Sequence, residues 1–304
     1  MPVLDLTIDG PFDLERTLAI HQRGTGDPSL RFDPGGIAWR ASRTADGPAL
    51  TRIRRTPVGV HAEAWGPGAD AALAGVPALV GGLDRPILPE PAHPVVRDLA
   101  RRLAGVRIGR TGAVFDALVP AILEQKVIGQ QARRGYQLLV RRHGERAPRA
   151  DLSGAPEMML PPEPARLARL PYWAFHPFGI ERRRADTVRR VAAVAASLEA
   201  SVGLPPAEAY ARLRSIVGVG PWTAAEVGIR ALGDPDAVSV GDFHLPSLVA
   251  WALAGEARAD DARMLELLEP YRGQRGRVLR MLELAGPRPP SFGPRMALRH
   301  IEAD

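Results

Sequence analysis

Two periodicities divide the chain. Over roughly the first 80 residues, apolar and polar positions alternate in short runs: Leu4 to Ile8, Leu30 to Phe32, Ile37 to Ser42, Ala49 to Arg54 and Val58 to Trp65. Alternation puts successive side chains on opposite faces of a strand, and Asp33-Pro34-Gly35-Gly36 and Asp46-Gly47-Pro48 supply the turns that hairpins require. Between the first two runs the spacing predicts a helix from about Phe12 to Gln22, with Asp13 and Glu15 near its start. Residues 1–82 therefore read as an α+β unit built on an antiparallel sheet.

Residues 83–94 carry Pro86, Pro89, Pro91 and Pro94, a density that neither a helix nor a central strand accepts, so they read as a linker. Beyond it, over 95–304, the apolar spacing becomes helical, as in Phe115, Leu118, Val119, Ile122 and Leu123, and no further strand is expected. Pro120 falls inside that pattern and either kinks the helix or moves its start. A second proline-rich stretch, 147–164, reads as a loop between helices. The fold class is α+β, an antiparallel sheet domain followed by an all-helical one.

The most informative stretch runs from Leu213 to Asp242. A helix ending at about Ile216 meets a hairpin at Gly218-Val219-Gly220, and Pro221 opens a second helix, because the amide that proline lacks has no partner in a first helical turn. The glycines give the turn backbone freedom and leave no side chain over it, so unpaired N–H groups can meet an anion such as a nucleic-acid phosphate. A Gly-x-Gly turn alone more often just joins two packed helices.

The surrounding residues add to this. Leu213-x-x-Ile216-x-Gly218-Val219-Gly220-Pro221-Trp222-Thr223-Ala224, followed by Arg230-Ala231-Leu232-Gly233-Asp234-Pro235-Asp236-Ala237 and Gly241-Asp242-Phe243-His244-Leu245, resembles the helix-hairpin-helix plus Gly-Pro-Asp signature of the DNA base-excision glycosylase superfamily. Within it the chain is most similar to the bacterial 3-methyladenine DNA glycosylase II group, from about Phe12 to the C-terminus. The resemblance implies a DNA repair enzyme acting as a monomer on double-stranded DNA with damaged bases. The reaction it implies is hydrolysis of the N-glycosidic bond of a flipped-out, alkylated purine.

Residue by residue, the resemblance makes Asp242 the catalytic carboxylate. The chemistry is sensible: base loss builds positive charge on the deoxyribose, which a nearby carboxylate stabilises. Read from the residues alone, Asp242 serves equally well as the N-cap of a following helix. Trp222 occupies the position where bifunctional relatives carry a Schiff-base lysine, so the enzyme is expected to be monofunctional, without lyase activity. Trp222 and Glu226 share a helix face and, with Trp173 and Phe115, are candidates for the base pocket, though core packing competes for the aromatics. Family members have an aromatic residue where Glu226 stands, which puts broad alkylated-base specificity in question.

Gly218, Val219, Gly220 and Thr223 are the candidate DNA-binding hairpin. Gln125 and Lys126 match the segment that fills the gap left by a flipped nucleotide. The resemblance also implies a sodium or potassium ion on the backbone carbonyls of Arg214, Ile216 and Val219, and no other cofactor. Asp234 and Asp236 read as turn formers. The alternative reading is a non-catalytic, structure-specific DNA-binding protein using the same hairpin.

Composition agrees. The 304 residues carry a net charge of +6 with a pI near 10.5, and Lys126 is the only lysine, so the positive field comes from arginine. An arginine-, alanine- and proline-rich composition also follows from a GC-rich genome. The absence of cysteine excludes disulfides, a thiol nucleophile and an iron–sulfur cluster. The N-terminus lacks the basic start and apolar core of a signal peptide, and no 18-residue apolar run occurs, so a soluble cytoplasmic protein without membrane partners is expected.

Overall fold

The computed structural model describes residues 2–87, 93–149 and 154–290. Five strands form one antiparallel sheet in the order β1-β5-β4-β3-β2, with β1 at Val3–Thr7, β2 at Leu30–Phe32, β3 at Ala38–Thr44, β4 at Gly47–Thr56 and β5 at Gly59–Trp65. The alternation read from the sequence fixes the register and gives the sheet two apolar faces. Ala38, Ile53, Val60 and Ala62 face one way, against helix α1 (Leu14–Leu18) and helix α2 (Ala69–Leu79). Trp39, Ala41 and Leu50 face the other way and meet Met158 and Leu160 from the helical part of the chain. Both faces are thus covered, and burying each large side chain contributes about 1.5–3 kcal/mol.

The first helix is shorter than its sequence pattern. Asp13 caps α1 by accepting the Arg16 N–H at 3.0 Å, and a 3-10 turn, Ala19–His21, continues it. Helix α2 lies where no helix was expected; Pro77 within it and a run of small residues obscure its periodicity. Of the proposed linker, residues 88–92 lie outside the described residues, and Pro94 already belongs to helix α3, Pro94–Arg102.

The helical part is built around helix α4, Val114–Leu123, of which every residue but Asp116 is buried. A helix apolar on all sides belongs at the centre of a core. Pro120 sits inside it. Its ends are satisfied by side chains from afar: the Glu199 carboxylate accepts the N–H groups of Val114 and Phe115, both at 2.8 Å, and Arg184 donates to the Leu123 carbonyl at 2.8 Å. Around it follow α5 (Gly129–His143), α6 (Pro164–Arg169), α7 (Arg182–Ala193), α8 (Ala195–Glu199), α9 (Pro206–Arg214), α10 (Pro221–Val227), α11 (Leu245–Ala254), α12 (Asp261–Leu268) and α13 (Arg275–Ala285). One expectation fails in detail: a two-residue pairing, β6 (Glu145–Arg146) with β7 (Met159–Leu160), lies within the helical part and carries Leu160, with Met158 directly before it, onto the sheet.

Between the sheet unit and the helices lies a cavity of about 50 Å³, lined by His21, Arg23, Arg40, Asp116, Tyr136 and Arg230 among others. Burial pushes the Asp116 carboxyl up to about 6 against the pull of Arg40, and pushes the His21 imidazole well below its ordinary range. Ion pairs and hydrogen bonds cross the same boundary: Arg23 meets Glu124 at 3.3 Å, and Arg230 donates through Nε to the Ile20 carbonyl at 3.1 Å. No helix among the described residues is long and apolar enough to cross a membrane.

Candidate active site and hairpin

The hairpin forms where the sequence places it, although α9 ends two residues earlier than expected, at Arg214. Gly218 adopts φ +100°, and a Cβ there would lie 2.3 Å from Thr187 Oγ1 of α7, so conformation and packing both demand glycine. Gly220 differs: its φ of −94° suits any residue, and a Cβ would meet nothing within 4 Å. Its bare backbone opens onto space. The N–H groups of Gly218 and Gly220 find no acceptor among the described residues, whereas that of Val219 is spent on the Ile216 carbonyl at 2.9 Å. The carbonyls of Arg214 and Val219 accept no hydrogen bond among the described residues, leaving neutral oxygens of the kind that suits a monovalent cation.

Gln125 and the hairpin are joined directly. The Gln125 amide donates to the Gly218 carbonyl at 2.9 Å and to Thr223 Oγ1 at 2.8 Å, which fixes the loop after α4 against the turn. Lys126 follows, exposed, with φ +56°, the left-handed region that a non-glycine residue enters only at a cost of about 1–3 kcal/mol. Conformational strain of this kind is held where the surroundings over-determine it, and the Gln125 anchor supplies that constraint.

Asp242 is held from three sides. Its Oδ1 accepts the N–H groups of His244 at 2.7 Å and Leu245 at 3.0 Å, ahead of α11, and its Oδ2 accepts the Trp222 indole N–H at 2.9 Å. The capping and catalytic readings of Asp242 are therefore compatible, because the cap fixes the direction of the carboxylate. Gly241, at φ +91°, shapes the preceding turn, and its N–H is held by the Asp261 carboxylate.

A second rung runs parallel. Glu226, one turn beyond Trp222, accepts from Ser239 Oγ at 2.6 Å and pairs with Arg230, which stands on the π-helical turn Gly228–Leu232 that extends α10. Trp222–Asp242 and Glu226–Ser239 thus tie the second hairpin helix to the turn that carries the carboxylate. Glu226 does not stand free to meet a base, as its place beside Trp222 had suggested; both of its oxygens are engaged.

Two other pocket candidates are not brought here. Phe115 is only 3% exposed and packs in the α4 core, so its ring has no open face for a base. Trp173 is 61% exposed on a 3-10 turn, Tyr172–Phe178, with its ring edge against Tyr172. Among the described residues it makes no hydrogen bond or ring contact with Trp222, Glu226 or Asp242. Asp234 and Asp236 are structural, accepting from Tyr210 and from Arg275 respectively.

No protein-family model matches the chain. Over 163 residues it is 31% identical to a Mycobacterium tuberculosis protein described as a probable bifunctional transcriptional activator/DNA repair enzyme AlkA, a stretch covering 51% of this chain and 30% of that one. The chain thus spans under a third of that relative's length. Its fold matches the 3-methyladenine DNA-glycosylase of Archaeoglobus fulgidus with a TM-score of 0.75 at 20% identity, over 93% of this chain and 98% of the other. It also matches the 8-oxoguanine glycosylase/lyase of Clostridium acetobutylicum, solved with double-stranded DNA, at 0.66 and 14% identity, over 89% and 90%. Over about half its length the chain resembles that mycobacterial protein in sequence, and its fold is the one seen in these two glycosylases.

In this helix-hairpin-helix chain the sequence reading passed over Phe243, which follows Asp242 directly and is 89% exposed, its ring edge against His244. Its position next to Asp242 was the signal. Arg230, Arg280 and Glu283 were also passed over, because charged residues on helices read as solvated faces.

Proposed function

We propose that the chain is a monofunctional DNA glycosylase of base excision repair, hydrolysing the N-glycosidic bond of damaged, alkylated purines flipped out of double-stranded DNA. The observation that carries this reading is the Asp242 carboxylate, aimed by three hydrogen bonds beside Trp222 at the end of the hairpin unit. As the glycosidic bond lengthens, the sugar gains oxocarbenium character, and a fixed carboxylate stabilises that charge without reorganising. Water completes the reaction at the sugar. The bare hairpin backbone at Gly218 and Gly220 would take a phosphate, Lys126 would fill the gap or hold a neighbouring phosphate, and the free carbonyls would hold a sodium or potassium ion. The mycobacterial relative, described as a DNA repair enzyme, supports the same reading.

The amine inventory supports the monofunctional reading. Trp222 supplies none, its N–H being committed to Asp242, and Lys126 is the only lysine. Incubation with lesion duplexes and borohydride should therefore trap no covalent complex. Lys126→Ala should weaken lesion binding and lower excision, as expected for a gap-filling side chain. Efficient trapping that Lys126→Ala abolishes would overturn the monofunctional assignment.

A further inference from the structure

Helix α13 carries Arg277, Arg280 and Glu283 in a stripe among the apolar Val278, Leu279, Met281 and Leu282. Gly276, at the head of this stripe, packs on the 235–237 turn, where a Cβ would lie 2.6 Å from the Ala237 carbonyl oxygen. Arg277 is fully engaged, with Asp84 and Gln274. Arg280 is not. Its side chain is only 17% exposed, its one ion pair is with Glu283 at 4.0 Å, and it donates no hydrogen bond among the described residues. A largely desolvated guanidinium with its donors unspent is costly unless a partner arrives.

Glu283 is the complement. Its side chain is 45% open, and desolvation pushes its carboxyl up, opposed by Arg280 and reinforced by the charges of Glu226 and Asp242. Glu226 and Arg230 satisfy each other on the neighbouring wall. Among the described residues of this helix, Arg280 and Glu283 leave one donor fork and one acceptor unspent, three residues apart on a single face.

We propose that Arg280 and Glu283 read the lactam edge of a 6-oxopurine, the guanidinium donating to the C6 carbonyl oxygen and the carboxylate accepting from N1–H. This rests on the glycosylase reading and sets its substrate class by the edge of the base, whether alkylated, deaminated or oxidised. Hypoxanthine, 7-methylguanine and 8-oxoguanine all present that edge. A 6-aminopurine such as 3-methyladenine presents an amino donor where the carbonyl would be, so it sets donor against donor.

Alkylated duplex DNA containing both 7-methylguanine and 3-methyladenine separates edge from charge, because both lesions are cationic in the nucleoside. A hypoxanthine duplex adds a neutral lesion. With each rate of base release divided by its spontaneous rate, the wild type should favour 7-methylguanine and hypoxanthine over 3-methyladenine. Arg280→Met should slow release of the two 6-oxopurines roughly 10- to 100-fold and leave 3-methyladenine unchanged. Glu283→Gln should shift selectivity in the same direction, and because that side chain is half open it carries the test should Arg280→Met fail to fold. Preferential release of 3-methyladenine by the wild type, or an equal loss on all three lesions in the variants, overturns the lactam-edge assignment and leaves the glycosylase reading standing. No release of any base overturns both.

Discussion

Asp242→Asn is expected to slow single-turnover base release by roughly 100- to 1000-fold or more while leaving affinity for lesion DNA largely unchanged. The charge acts on a cation that exists only in the transition state, so its loss falls on the chemical step and not on binding. Asparagine can still accept the His244 and Leu245 N–H groups, which keeps the turn before α11 capped. It then turns its amide donors toward the Trp222 N–H, now without an acceptor. Wild-type excision rates in the variant would remove Asp242 from the chemistry.

The second large effect concerns the hairpin, where two glycines two residues apart should behave differently. Gly220→Val meets open space at an ordinary backbone angle, so the protein should fold with an unchanged thermal midpoint. The new side chain stands where a phosphate would approach. Binding to damaged and undamaged duplexes should fall together, roughly tenfold or more, because phosphate contacts position the protein without specifying sequence or lesion. Gly218→Val should instead destabilise the fold by about 1–3 kcal/mol, since it forces a β-branched residue to positive φ against Thr187. If Gly220→Val altered only lesion discrimination, the hairpin would belong to the base pocket.

Local pattern carried most of the fold. Strand alternation located all five strands to within a few residues, and the glycine and proline punctuation located the hairpin, because both report on backbone geometry that neighbours in sequence decide. Helix α2 escaped because Pro77 and small residues blur its apolar face, and β7 escaped because two residues paired across a loop leave no periodicity. Phe115 was legible as apolar but not as inaccessible, since the α4 core that encloses it is assembled from distant segments.

The site divides in the same way. The resemblance singled out Asp242 and Trp222, yet the 2.9 Å hydrogen bond joining them spans 20 residues and depends on how the turn folds back. Glu226 beside Trp222 suggested a free acceptor, whereas Ser239 and Arg230 occupy it. Arg280 and Glu283 were hidden because three-residue spacing of charges on a helix is the ordinary pattern of a solvated face; only the burial of Arg280 marks it otherwise.

On the proposed function, the protein releases a damaged purine by hydrolysis. The most direct test is a time course of the wild-type protein on duplexes that each carry one damaged purine, measuring free base and strand length before and after alkali. Free base should appear in step with alkali-labile sites, and strands should stay intact until alkali is added. Tight binding of lesion duplexes with no free base at any time would contradict it and identify a protein that holds bent DNA without acting on it.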